Sequence, residues 1–157
     1  MKIIDGDLIK MALDGKFDVI IHGCNCFCNF GAGIADTIAA VFPQAMLADQ
    51  MTMLGDSDKL GTYSSVKEKG VIIVNAYTQY KYGRDKAHVD YDAIRDVFKL
   101  IKKDFSGLRI GYPLIGCGLA GGDWDIVSVI IDEELEDEDH TLVKFNGTYT
   151  NIPYKIG

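Results

Sequence analysis

Short apolar runs alternate with amphipathic stretches along the 157 residues of this chain. Runs rich in β-branched residues predict strands over residues 2–4, 17–21, 62–67, 71–76, 108–112 and 141–145. Apolar residues at helical spacing predict helices over residues 8–13, 34–48, 90–104 and 123–135. Because strands alternate with helices, the pattern predicts a three-layer α/β/α fold with a mixed, largely parallel central sheet.

Local breakers and chain length refine this prediction. Pro43 should break or kink the helix over 34–48, because a proline inside a helix removes a hydrogen bond and clashes with the preceding turn. Lys69 and Gly70 predict a tight turn between two strands. The length predicts a single domain over 1–157, with a core that needs no disulfides. Residues 146–157 form a C-terminal extension with two turn signals, for which an added strand is one option.

Two stretches, 19–35 and 108–124, each combine a strand, a glycine-containing turn and the start of a helix. Glycines let backbone N–H groups approach a phosphate, and a helix N-terminus carries about half a positive charge. Loops at the carboxyl ends of the strands in an open α/β sheet meet at one edge. We therefore expect the two turns to close over one extended anionic ligand. Neither turn has the spacing of the dinucleotide fingerprint or of the phosphate-binding loop.

The charge balance limits the classes of partner. The formal net charge is −7, which argues against broad nucleic-acid binding, because such binding depends on Lys and Arg that neutralise phosphates. Neither turn contains Lys or Arg, so backbone amides and helix dipoles would hold a small anion. No apolar run is long enough to span a bilayer, and the N-terminus lacks a signal-peptide apolar region. The sequence predicts a soluble, cytoplasmic protein without a membrane partner.

Four cysteines raise the question of a metal site. Cys24, Cys26 and Cys28 alternate within the first turn, and Cys117 lies in the second. Structural zinc sites favour pairs separated by two to four residues with a matched second pair, which this spacing does not provide. We expect reduced thiols packed in or beside a loop, as is usual in the cytoplasm. Nothing in the sequence requires a metal or another cofactor.

The motifs in these turns resemble those of the macrodomain family, which binds ADP-ribose. Gly6-Asp7-Leu8-Ile9 resembles the opening motif of that family. The stretch His22-Gly23-Cys24-Asn25-Cys26, followed by Gly31-Ala32-Gly33-Ile34-Ala35, resembles the first ligand loop. Ile115-Gly116-Cys117-Gly118-Leu119 resembles the second loop, and Trp124 follows at a similar spacing. The chain is most similar to the branch of ADP-ribose-1''-phosphate phosphatases and terminal ADP-ribose protein glycohydrolases.

The resemblance implies a set of ligand-binding residues in both loops and at both ends of the chain. The implied set is Asp7, Leu8, Cys24, Phe30, Gly31, Ala32, Gly33, Ile34, Ile115, Gly116, Cys117, Gly118, Leu119, Ala120 and Phe145. Asp7 and Leu8 would contact adenine. The alternative for Asp7 is the N-cap of a short helix, and the two roles are compatible. Phe145 or Asn146 would stack on adenine, and a packed core or edge aromatic is the alternative for Phe145.

His22 and Asn25 are the candidate catalytic residues. Asn25 occupies the position of the asparagine that touches the distal ribose in the family, and its amide can both donate and accept. His22 begins the loop, as a histidine does in the phosphatase branch, and an ordinary histidine can exchange a proton near neutral pH. It would serve as an acid for the departing oxygen or as a base for water. The alternative is a hydrogen-bonded histidine at a strand end that takes no part in catalysis.

The resemblance leaves three functions open. The first is hydrolysis of ADP-ribose-1''-phosphate to ADP-ribose and phosphate, and the second is non-catalytic binding of ADP-ribose. The third is removal of ADP-ribose from modified protein or nucleic acid. The glycohydrolase branch uses a lysine after the mid-chain strand, near Gln79 and Lys81, and an aspartate where this chain has Ala120. The missing carboxylate argues against the third function.

Overall fold

A computed structural model describes residues 1–31, 33–82, 89–118 and 120–145. The strands in these ranges are β1 (Lys2–Asp5), β2 (Val19–Cys24), β3 (Tyr63–Glu68), β4 (Val71–Tyr77), β5 (Ile110–Tyr112) and β6 (His140–Lys144). The helices are α1 (Leu8–Leu13), α2 (Gly33–Val41), α3 (Pro43–Gln50), α4 (Tyr91–Phe105) and α5 (Trp124–Glu134), with a 3₁₀ turn at Ser57–Lys59.

The six strands form one sheet in the order β1-β6-β5-β2-β4-β3. All neighbouring strands are parallel except β3, which pairs with β4 in the antiparallel sense. The turn between β3 and β4 has positive φ at both Lys69 and Gly70, a conformation that matches the twist of a hairpin. The predicted α/β fold with a mixed, largely parallel sheet is confirmed.

Helices cover both faces of the sheet and bury two separate apolar clusters. On β2 the side chains alternate between the clusters: Ile20 packs with α1, α2 and α3, whereas Ile21 packs with α4 and α5. The apolar stripe of α4 is buried as its spacing predicts, at Ile94, Val97, Phe98 and Ile101. The site described below lies at the edge of the sheet where the parallel strands end.

Several predicted boundaries were wrong in detail. The strand predicted over 17–21 is β2, which starts at Val19 and continues to Cys24, so His22 and Gly23 belong to the sheet and not to the turn. Strand β5 is shorter than predicted and begins at Ile110. Pro43 does break the predicted helix, and it starts α3 at a first-turn position where its missing N–H costs nothing.

Several predictions fall on residues outside the described ranges. They concern Ala32, Leu119, part of the tyrosine-rich loop (83–88) and the extension 146–157. The single-domain assignment over 1–157 stays a prediction. Within the described ranges, no helix combines the length and the apolarity needed to cross a membrane.

Candidate functional site

A cleft of about 750 Å³ lies at the carboxyl ends of β2, β4, β5 and β6. The connection from β2 to α2 forms one wall, and the connection from β5 to α5 forms the opposite wall. The two walls approach each other at Gly23, where an added Cβ would lie 3.3 Å from the Ile115 side chain and 3.9 Å from the Gly116 nitrogen. The cleft lies where neighbouring parallel strands release their loops, as expected for a ligand site in such a sheet.

The first wall is a loop held in shape by its own side chains. Asn25 accepts a hydrogen bond from the Phe27 nitrogen (2.9 Å) and donates one to the Asn29 carbonyl (3.0 Å). Asn29 in turn accepts from the Gly31 nitrogen (2.9 Å). The loop ends at the first turn of α2, where Gly33, Ile34 and Ala35 line the cleft. The positive end of the α2 dipole therefore lies at the cleft.

The second wall is a loop closed by backbone hydrogen bonds. Cys117 donates to the Leu114 carbonyl (3.2 Å), and Gly122 donates to the Gly116 carbonyl (2.7 Å). Gly116 has a φ of +74°, and a Cβ there would lie 2.7 Å from Val89. Only glycine meets both demands without strain. Val89 donates a backbone hydrogen bond to the Ala120 carbonyl (3.3 Å), which attaches it to this loop, and it also forms an isolated bridge with Gln79.

A third wall follows β4 and was not predicted as part of the site. Gln79 and Tyr82 line the cleft there. Tyr82 contacts Phe27 of the first loop edge-to-face, with 6.4 Å between ring centroids. The resemblance named Gln79 only as a position near the lysine of the glycohydrolase branch. It reaches the cleft because β4 is parallel to β2, so that the carboxyl ends of both strands lie at the same edge of the sheet.

The end of β6 closes the cleft with Val143, Lys144 and Phe145. Among the described cleft-lining residues, Lys144 alone carries a charged side chain, and it is exposed. The cleft therefore offers an anion one flexible cation, backbone amides and the N-terminus of a helix, while no described carboxylate lines it.

Known proteins resemble the chain in sequence and in fold. No protein-family model matches it. An uncharacterised 17.5 kDa protein of Enterobacteria phage T4 is 36% identical over 147 residues, which cover 84% of this chain and 88% of the relative. The chain belongs to the same family as this phage protein. An ADP-ribose 1''-phosphate phosphatase of Candida albicans is 23% identical over 163 aligned residues, covering 97% of both chains.

Solved structures identify the fold. The macrodomain of Thermus aquaticus DarG superposes with a TM-score of 0.69 at 16% identity, covering 93% of this chain and 97% of that one. A Trypanosoma brucei macrodomain in complex with ADP-ribose superposes with a TM-score of 0.66 at 18% identity, covering 92% of this chain and 63% of that one. The chain has the macrodomain fold.

Most of the predicted ligand residues line the cleft of this macrodomain. Those within the described ranges that do so are Cys24, Asn25, Gly31, Gly33, Ile34, Ile115, Gly116, Cys117, Gly118, Ala120 and Phe145. The cleft also includes residues that were not predicted, namely Gly23, Asn29, Ala35, Gln79, Tyr82, Pro113, Leu114, Val143 and Lys144. Gly23 and Ala35 belong to motifs quoted above, whereas the other missed residues follow strand ends or neighbour the predicted ones.

Asp7, Leu8 and Phe30 do not line the cleft of this macrodomain. Asp7 caps α1, accepting hydrogen bonds from the nitrogens of Ile9 (3.0 Å) and Lys10 (3.1 Å), which is the structural alternative stated for it. Leu8 is buried in the core. Phe30 is also buried and packs edge-to-face on the His22 ring, with 5.1 Å between centroids.

His22 lies beneath the cleft and does not line it. Its ring is fully buried, and Nε2 donates a hydrogen bond to Oδ1 of Asn75 (2.7 Å). Asn75 must present its oxygen, because its nitrogen donates to the Ala45 carbonyl and to the Ser64 hydroxyl, each at 3.0 Å. Burial lowers the pKa of His22 from 6.5 to about 4, against the opposing effect of the Asn75 hydrogen bond. At neutral pH the imidazole is therefore uncharged.

The thiols at the cleft of this macrodomain are not activated. Burial raises the pKa of Cys24 well above its usual value, and the negative charge of Asp49 raises it further. Burial, followed by the Asp123 charge, raises the pKa of Cys117 to about 11. Both remain protonated at neutral pH and are poor nucleophiles. Across the part of the chain that the structure describes, no three His, Cys, Asp or Glu side chains are grouped to hold a metal ion.

Proposed function

We propose that this macrodomain binds ADP-ribose. The observation that carries the proposal is the meeting of two glycine-containing loops and the α2 N-terminus around one cleft of about 750 Å³. Cavities of this size hold small-molecule ligands. The complex of ADP-ribose with the Trypanosoma brucei macrodomain, which shares the fold, supports the same ligand here.

The proposed ligand lies along the cleft from β6 to the first loop. Adenine lies near Val143 and Phe145, because an apolar and aromatic surface suits a flat base. The diphosphate lies between the α2 N-terminus and Gly116–Gly118, where backbone amides and a helix dipole can stabilise its charge. The distal ribose lies beside Asn25, and the resemblance to the family assigns that residue the ribose contact.

The catalytic part of the proposal is hydrolysis of ADP-ribose-1''-phosphate to ADP-ribose and phosphate. It is supported by similarity to the Candida albicans phosphatase across 97% of both chains and by the family's loop motif beginning at His22. His22 is the proposed proton-transfer residue and Asn25 the proposed ribose-positioning residue. A histidine with a pKa of about 4 is unprotonated at neutral pH, so it could act there as a base but not as an acid.

Non-catalytic binding of ADP-ribose is the second candidate, and the burial of His22 favours it. The imidazole is covered by Phe30 and by the Cys24 side chain, whose sulfur lies 3.5 Å from Nε2 and 3.7 Å from Nδ1. For direct catalysis His22 would have to reach a ligand past these two side chains. The third function, removal of ADP-ribose from a macromolecule, has less support, because Gln79 and Ala120 line the cleft without a carboxylate.

Three measurements separate these candidates. Calorimetry with ADP-ribose tests binding, and absence of detectable binding would reject the proposal as a whole. Phosphate release from ADP-ribose-1''-phosphate tests catalysis, with His22→Ala measured beside the unaltered protein. Binding without phosphate release would establish the non-catalytic function, and equal turnover in His22→Ala would reject the role of His22. Release of ADP-ribose from a modified protein, lost in Lys81→Ala, would support the third function.

A further inference from the structure

A buried lysine lies behind the first loop of the cleft. Lys59 is only 7% exposed, and its ammonium donates to the Cys26 carbonyl (3.0 Å) and to the Thr52 hydroxyl (2.8 Å). The Cys28 sulfur lies 3.8 Å from the same nitrogen, and the Tyr77 ring centroid lies 4.9 Å away. The three N–H bonds of an ammonium thus face three acceptors, two of them in the first loop.

Some residues of the first loop line the cleft, and others contact Lys59 on the opposite side of the loop. Asn25, Asn29 and Gly31 line the cleft, whereas Cys26 and Cys28 present their backbone or sulfur atoms to Lys59. Cys28 has a φ of +54°, which is uncommon for a residue with a side chain and is kept only where its surroundings fix it. The contacts to Lys59 and the 3.3 Å contact from the Cys28 sulfur to the Asp49 carbonyl provide that constraint.

Thr52, which accepts a hydrogen bond from Lys59, is itself held to the body of the protein through Asp49 and Tyr77. The Thr52 hydroxyl donates to the Asp49 carbonyl (2.6 Å), and the Asp49 carboxylate accepts from the Tyr77 hydroxyl (2.8 Å). Asp49 and Tyr77 are each 1% exposed. Through this network the rigid sheet, by way of β4, supports the backbone of the loop.

Packing alone does not account for a lysine at this position. Removing an ammonium from water costs free energy, and a side chain such as Met would fill similar space without that cost. An ammonium can hold several acceptors from separate segments at once, which no apolar side chain can do. The charged group therefore provides directional contacts to the loop that an apolar residue would not.

We propose that Lys59 is a positioning residue for the ligand-binding loop, fixing the backbone of residues 25–31 against the body of the protein so that it is preorganised for ADP-ribose. The proposal rests on the proposed function. Lys59 acts through Cys26 and Cys28 and does not itself line the cleft.

The test compares Lys59→Met with Lys67→Met, an exposed lysine on β3 outside the cleft. Calorimetry measures affinity for ADP-ribose and for AMP, which lacks the distal ribose next to the first loop and the phosphate attached to that ribose. We expect Lys59→Met to weaken ADP-ribose binding about tenfold more than AMP binding, because disordering a preorganised loop costs binding free energy. Lys67→Met should leave both affinities unchanged. Equal losses for the two ligands, or no loss for ADP-ribose, would overturn the proposal.

Two further measurements keep the test decisive. If Lys59→Met does not fold, Thr52→Val is used instead, because it removes one of the Lys59 acceptors. This variant must also lose more affinity for ADP-ribose than for AMP. Amide hydrogen exchange without ligand tests the loop alone: exchange at residues 26–31 should accelerate about tenfold in the folded variant, while residues 114–118 are unchanged. Unaltered exchange at 26–31 would reject the role of Lys59. Absence of ADP-ribose binding by the unaltered protein would reject the proposed function instead.

Discussion

His22 on β2 and Asn75 on β4 lie directly opposite each other in the parallel register, and their side chains are joined by a 2.7 Å hydrogen bond. Asn75 continues the contact to α3 through the Ala45 carbonyl and to β3 through the Ser64 hydroxyl. Both residues are fully buried. The Asn75 amide thus connects β3, β4 and α3 to His22, which lies on β2 just before the first loop.

Replacing Asn75 by Ala should destabilise the fold. The change leaves the His22 N–H without its acceptor and the Ala45 carbonyl without this donor, and unpaired buried polar groups are costly. We expect a loss of about 2–4 kcal/mol in the free energy of unfolding. Urea titration measures it, with Ser65→Ala on the exposed face of β3 as the control. If Asn75→Ala lowers the free energy of unfolding no more than Ser65→Ala does, the hydrogen bonds of the Asn75 amide do not stabilise the fold as proposed.

The buried imidazole should make stability depend on pH. Because the pKa of His22 is about 4 in the folded protein and 6.5 in the unfolded chain, the unfolded chain takes up the proton first as the pH falls. The contribution is fully present above about pH 6.5 and is lost progressively toward pH 4, amounting to about 3 kcal/mol.

Urea titrations of the unaltered protein and of His22→Gln across this range measure that contribution. The difference in unfolding free energy between the two proteins should shrink as the pH falls. A difference that stays constant from neutral pH to pH 4 would mean that the buried histidine keeps an ordinary pKa.

Two glycines of the second loop should respond differently to the same substitution. Gly116→Ala places a Cβ 2.7 Å from Val89 at a positive φ and should cost about 2–4 kcal/mol of stability. Gly118→Ala meets nothing within 4 Å and should change stability by less than about 0.5 kcal/mol. Thermal denaturation of both variants measures the contrast. Equal melting temperatures would show that Gly116 is not conformationally required.

Lys144 should supply a salt-sensitive part of the affinity for ADP-ribose. It carries the one charged side chain among the described residues of the cleft, and the proposed ligand is an anion. Lys144→Glu should weaken binding about tenfold at low ionic strength and by less at high salt, because salt screens exposed charges. Lys67→Glu changes the net charge equally at a distant site. If the two variants lose affinity equally, a local role of Lys144 is excluded.

The fold and much of the site could be predicted from the order of residues along the chain. The turn at Lys69 and Gly70, the proline break at 43 and the inward stripe of α4 depend on neighbours within a few positions, and all three were found. The end of β2 was misplaced, because the polar residues His22 and Cys24 follow its apolar run. The burial of His22 depends on Asn75, which comes from another strand, and on Phe30 at the far end of the first loop.

The sequence by itself determined the alternation of strands and helices, the two glycine-containing loops and the absence of Lys and Arg from them, because these features are local. Only the tertiary structure decided that Gln79, Tyr82 and Lys144 join those loops, that His22 lies below the cleft and that Lys59 lies behind the first loop. These placements depend on which strands are neighbours in the sheet and on which polar groups find partners when buried. Such contacts join residues far apart in the chain, where periodicity carries no information.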